Sequence, residues 1–237
     1  MCSKTFLEKP LAGLLCGLGV AAAGWLLSVS LNSYIASRQT VVVKGLAERV
    51  VRADLATWAI TFKENGDKLP ELQDKMLKNK TTVKTFLTQF NFSPAEMSDS
   101  PMSVIDQYSQ NYGGQKPLFR YLVQATVILR SDKVDYVKKA MGETGQLINQ
   151  GIIIDIPQYG PAGEFLFTNL NAIKPDMVKE ATEAARTAAI QFAKDSNAAV
   201  GSIKSAQQGL FSITDRDTNS PDWKNVRVVN TVEFLIK

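Results

Sequence analysis

Five consecutive residues, Asp215-Arg216-Asp217-Thr218-Asn219, carry the densest set of oxygen donors in the chain. Carboxylate and amide oxygens at alternate positions of a short loop can converge on one Ca²⁺ ion. The sixth position of the pattern is Ser220 where a calcium loop needs glycine, and the twelfth is Val226 where it needs a bidentate glutamate. The plainer reading of the same residues is a solvated Asx-turn between two strands. Asp215, Asp217 and Asn219 are thus weak metal candidates only, and neither a metal nor another cofactor is expected.

Two carboxylates can hydrolyse a glycosidic bond without histidine. The acids available in loops or at strand edges are Asp99, Asp106, Glu164, Asp215, Asp217 and Asp222, but nothing in their spacing sets a defined separation between any two. Histidine is absent from the whole chain, which removes the commonest general base and metal ligand together. Cys2 and Cys16 are the only cysteines, so the remainder has no disulfide, thiolate nucleophile or zinc-thiolate site. No serine sits in a nucleophile elbow. Gly17-Leu18-Gly19-Val20-Ala21-Ala22 imitates a dinucleotide fingerprint but follows no strand. No catalytic or cofactor-binding residue is expected. The alternative is a periplasmic hydrolase or small-ligand carrier working through acids such as Asp215 or Asp222.

A further grouping is aromatic. Tyr108, Tyr112, Phe119 and Tyr121 border a polar hairpin around Gly113-Gly114. Such a hairpin can form an oligomer contact or a ligand lip, although packing of the rings on a sheet is the simpler expectation.

The elements that would position these residues alternate along the chain. Val41 to Val51 reads as a strand, and a second, from Asp54, puts Ala56, Trp58, Ile60 and Phe62 on one face, close enough to pair with it as a hairpin. A helix over 68–90, with Asp67 as N-cap and Pro70 in its first turn, buries Leu72, Met76, Val83, Phe86, Leu87 and Phe90. Strands follow at 102–109 and 118–130, the second alternating cleanly. Ser131 then caps a short helix to about Glu143, with Val134, Val137 and Met141 inside. After a strand at 152–156 and a Pro/Gly loop, Phe165 to Thr168 can pair back. An alanine-dense helix over 175–197 covers its partner with Ala181, Ala184, Ala185, Ala188, Phe192 and Ala193. Strands at 203–213 and 226–236 close the order ββ-α-ββ-α-β-α-ββ, an α+β fold with antiparallel sheet and helices on one face. No linker divides residues 39–237.

Residues 11–31 contain no charge and reach roughly 30 Å as a helix, the thickness of a bilayer core. The expectation is a transmembrane anchor over 11–35 behind a short cytoplasmic tail, residues 1–10, with the domain in the periplasm of a bacterial inner membrane. A cleaved signal leaving a periplasmic protein is the alternative. Gly13 and Gly17 form a small-xxx-small pair on that helix, suited to close helix packing. The chain has 27 basic and 23 acidic residues; beyond residue 38 only 24 and 22 remain, too small an excess for a nucleic-acid footprint.

Several stretches resemble one family. They are the opening strand Val41-Val42-Val43-Lys44-Gly45-Leu46-Ala47-Glu48, the tyrosine hairpin leading into the alternating strand, the run from Gly145 to Ile156, and Ala198-Ala199-Val200-Gly201-Ser202-Ile203 after the alanine-rich helix. In this order they resemble the SIMPL-domain proteins of bacterial envelopes, over residues 40 to 237. The resemblance implies an α+β envelope domain of largely unknown function, self-assembling in some members and linked to stress tolerance. It supplies no catalytic residues. The partners expected are the membrane through residues 11–35, a second copy of the chain, and an unidentified envelope protein.

Overall fold

The computed structural model describes residues 17–28, 39–109, 116–155 and 162–236. The chain is α+β, with antiparallel sheets and helices. Strands β1 (Thr40–Arg52) and β2 (Leu55–Gly66) precede helix α2 (Leu69–Gln89), with helix α1 over residues 17–28 upstream. Then come β3 (Met97–Asp99), β4 (Ser103–Asp106), β5 (Tyr121–Ser131), α3 (Val134–Gly142) and α4 (Gly145–Asn149). The order ends with β6 (Ile154–Asp155), β7 (Gly163–Leu166), α5 (Leu170–Asp195), β8 (Val200–Gln207), β9 (Ser212–Asp215) and β10 (Trp223–Ile236). They fall into two compact units, one of Met1–Glu48, Lys174–Ser212 and Arg227–Lys237, the other of Arg49–Ile173 and Ile213–Val226.

The larger unit is built on β2 and β5, paired antiparallel from Ala56↔Ser131 to Gly66↔Tyr121. Their alternation puts Trp58, Ile60, Phe62, Val123, Val127 and Leu129 on one buried face. Helix α2 covers that face with Leu72, Met76, Val83, Phe86 and Leu87, and α3 and α4 extend the same core through Val137, Ala140 and Leu147. On the other face the Thr61 and Thr126 hydroxyls bond at 2.8 Å.

In the smaller unit β1, β10 and β8 lie side by side. Helix α5 lies on them through an i, i+4 stripe of Met177, Ala181, Ala185, Ala189 and Ala193. A Cβ added at Gly45 would come within 1.9 Å of Ala181 O and 2.4 Å of Ala185 N, so helix backbone rests directly on strand backbone. Asn230 of β10 donates from Nδ2 to Val178 O at 3.1 Å and to Thr182 Oγ1 at 3.2 Å, while its buried Oδ1 has no partner.

Several expectations are corrected. β1 and β2 form no hairpin: β1 pairs with β10, and β2 with β5, β6 and β7. A two-residue hairpin needs positive φ in its turn, which Ala53-Asp54 lacks; instead Ala53 N–H bonds Asp222 O and Asp54 N–H bonds Leu166 O. Asp67 does not cap α2, because its carboxylate accepts the Arg120 N–H at 2.9 Å and Lys68 is the N-cap. Lys133, not Ser131, is the N-cap of α3, and Ala140 takes the buried position expected of Met141. Pro175 lies inside α5 rather than in its first turn. The helix starts earlier because the Asp54 carboxylate accepts the N–H groups of Thr168 and Asn169 at 2.7 and 2.9 Å, taking up donors that a helix start leaves free. Phe192, expected inside, is 60% exposed. The segment expected as one strand at 203–213 is two, β8 and β9, and α4 is an additional helix.

Helix α1 is exposed along its length. Among the described residues no helix is long and apolar enough to cross a membrane. Much of the span expected over 11–35 lies outside the described residues.

The contact at Gly45 is directly testable. Gly45→Ala forces α5 off the sheet, and the expected loss exceeds about 3 kcal/mol, the upper end of ordinary overpacking. Urea unfolding of the purified variant measures it.

Candidate functional site

The loop between β9 and β10 is held by its own cations. Lys224 Nζ donates to Asp215, and Arg216 Nε to Asp217 Oδ2 at 2.8 Å. The Asn219 N–H donates to Asp217 Oδ1 at 3.0 Å, an Asx-turn, and the Arg216 N–H bonds Trp223 O at 2.8 Å to close the hairpin. The Arg216 hydrogen bond holds the Asp217 carboxyl below its ordinary range. Asp215 and Asp217 thus face separate cations, and among the described residues no three acids gather around a point that a metal could occupy.

Asp222 behaves differently from the acids around it. It is 1% exposed and accepts a hydrogen bond from Lys138 Nζ at 2.7 Å, with Arg52 Nη2 at 3.8 Å. Arg52 also pairs with Asp135, and its guanidinium and that of Arg216 lie 6.0 and 5.2 Å from the Trp223 ring centroid. Burial pushes the Asp222 pKa up, but the Lys138 hydrogen bond and the charges of Lys138 and Arg52 outweigh it, so the net shift is downward. An ionised, paired carboxylate of this kind holds structure together and has no proton to donate at neutral pH.

Two of the remaining acids follow suit. Asp99 is held low by Lys84 at 2.8 Å and Lys80 at 3.4 Å, and Asp106 by Arg120 at 2.9 Å. Glu96 is the extreme case. Burial opposes its ionisation, yet Ser131, both the N–H and hydroxyl of Ser93, and Lys133 all donate to it, pulling the pKa down to about 2. Glu164 lines an open cleft of about 390 Å³ over Thr57, Ala59 and Thr61, with Asp155, itself paired to Lys63 at 2.8 Å. A larger hollow of about 580 Å³ runs along α2 past Leu77, Thr81, Thr85 and Phe86. Thr81 and Thr85 spend their hydroxyls on carbonyls one turn back, so they offer it mainly methyl groups.

The aromatic grouping does not form a cluster among the described residues. Lys116 Nζ stands 4.3 Å from the Tyr108 ring centroid, Tyr121 packs on the core, and Phe119 is partly exposed. The single close ring pair among the described residues is Phe86–Phe90. Tyr112 and Gly13 lie outside the described residues. Gly17 has no atom within 4 Å of the place where a Cβ would stand.

The smaller unit instead presents uncovered apolar side chains. On β1, Val43, Gly45 and Ala47 face α5, whereas Val42 and Leu46 on the opposite face are 61% and 43% exposed, alternating with exposed Lys44 and Glu48. Sequence reasoning read this segment as a strand and assigned neither of its faces. It also passed over Arg52 and Lys138 as partners of Asp222, because Lys138 is 84 positions away and Arg52 further still.

Two antiparallel sheets with helices define an α+β domain. The chain belongs to the SIMPL family, described as a protein of unknown function (DUF541), whose model matches residues 41–229. No curated protein matches it.

Two measurements test these assignments. Glu96 has a folded pKa near 2 against an ordinary 4.5, so between those values the unfolded chain binds more protons and stability rises with pH. Glu96→Gln should therefore lower Tm at pH 7, and the gap from wild type should close as pH falls from about 4.5 to about 2. Titration with Ca²⁺ should leave the Tm unchanged; a saturable rise would reinstate the 215–219 loop as a cation site.

Proposed function

We propose that this protein is a single-pass, membrane-anchored envelope protein whose SIMPL domain works by binding and assembly rather than by catalysis. The observation that carries this reading is the outer face of β1 in the smaller unit, where Val42 and Leu46 stand exposed on the side away from α5. Apolar side chains presented together mark interaction surfaces. The downward pKa shifts of Glu96, Asp99, Asp106, Asp217, Asp222 and Glu233 point the same way, since each leaves its carboxylate ionised against a neighbouring donor.

The anchor is supported by the uncharged run at 11–31, of which the helix over 17–28 forms the described part. With a short cytoplasmic tail, the domain stands on the periplasmic side of a bacterial inner membrane. Its partners there are further copies of the chain or an envelope protein, with stress tolerance as the setting in which the assembly acts.

Alkaline carbonate extraction of cell membranes tests the anchor: the chain should stay in the pellet, and release into the supernatant overturns it. Light scattering of the full-length chain in detergent tests assembly. A mass above one chain is expected, and a strict monomer at high concentration overturns this half of the proposal.

A further inference from the structure

β1 has one strand neighbour among the described residues, β10. At one end of the pair the Ile236 N–H bonds Gln39 O at 2.9 Å, and at the other the Ala53 N–H bonds Asp222 O at 2.8 Å. The two bonds are equally spaced along both strands, so the odd-numbered residues of β1 turn their backbone toward β10. Even-numbered residues turn N–H and C=O toward the open edge. The same residues carry the exposed side chains Val42, Lys44, Leu46, Glu48 and Val50. On this outer face the strand reads Val, Lys, Leu, Glu, Val, a pattern symmetric about Leu46 in apolar positions and antisymmetric in charge.

We propose that a second copy of the chain adds its own β1 to this edge, antiparallel, with the twofold axis at Leu46. The inference rests on the assembly reading above and names its partner and register. Leu46 is the midpoint of Thr40–Arg52, so the strands overlap along their full length. Lys44 then stands opposite Glu48 of the partner subunit, and the same pair recurs across the axis. Lys44 has no ion pair among the described residues, whereas Glu48 has Arg227 at 3.4 Å. Opposite charges facing each other across strands stabilise a pairing and like charges oppose it. An isologous contact of this kind is closed, giving a dimer in which neither β1 edge stays open.

Helix α5 fits the same axis. It touches β1 at Gly45 and β10 at Asn230, so it lies over that strand pair, with Val178 and Thr182 on the β10 side. Its flank away from β10 carries Ala184, Ala188 and the exposed Phe192. Two copies of the sheet joined at β1 place the two α5 helices two strand spacings apart, about 10 Å, an ordinary helix-packing distance. Gly45 is next to Leu46, so the helices meet beside the axis with their small residues toward each other.

The test uses the full-length chain in detergent, with Cys2→Ser and Cys16→Ser as background. Leu46→Cys should give a covalent dimer with a short bis-maleimide, and Ser202→Cys, on the far strand β8, should not. Lys44→Glu and Glu48→Lys should each weaken the dimer roughly tenfold by sedimentation, and the double exchange should restore it. Restoration separates charge pairing from damage to the fold. An oligomer with no Leu46→Cys crosslink, or one indifferent to both reversals, overturns the β1 dimer and leaves the assembly reading standing. A monomer at every concentration overturns both.

Discussion

The smaller unit depends on a missing side chain. With no Cβ at Gly45, α5 settles onto β1 until helix carbonyl and strand backbone are in contact, and the alanine stripe follows from that distance. Larger residues at Ala181 or Ala185 would lift the helix, as would any residue but glycine at position 45. The hydrophobic gain per residue in this interface is small, because alanine buries little area. Close approach over many turns substitutes for it through dispersion between well-packed backbones. Asn230, with one buried oxygen unpartnered, adds direction rather than strength, since its amide finds acceptors in only one placement of α5.

The larger unit works by the opposite means. Phe62, Phe86, Phe92, Ile60 and Leu129 are large side chains buried between a sheet and three helices. Its polar periphery is tied by ion pairs and hydrogen bonds that join distant parts of the chain, with Asp222, Asp54 and Glu96 each serving two or more donors. Carboxylates used in this way are committed to the fold.

Local periodicity made much of this legible. The alternation of β2 and β5 and the stripe of α2 gave the core of the larger unit nearly residue by residue, because each pattern is imposed by one neighbour on one face. Alanine density marked much of the inner side of α5, with Ala181, Ala185 and Ala193 buried as expected, but Phe192 looked as apolar as the rest and stands outside. Pairing was beyond reach: nothing at Ala53-Asp54 announces that one residue bonds to Asp222 and the next caps a helix at Thr168. For the same reason the acids were visible as acids while the cations committed to them were not. The alternation of β1, with Val43, Gly45 and Ala47 inside and Val42, Leu46 and Val50 outside, was readable in principle.

The bond between Gln39 and Ile236 joins the two ends of the described domain. A chain made from its N-terminus outward therefore carries β1 without its strand partner until β10 has been made. β10 follows every other described element in the chain, so the smaller unit cannot close until those elements have been made. Long-range closure of this kind is slow to form, and an unpaired strand is exposed to wrong partners meanwhile. The order of the elements thus makes completion of the fold a late event and leaves an incomplete chain recognisable by its bare first strand.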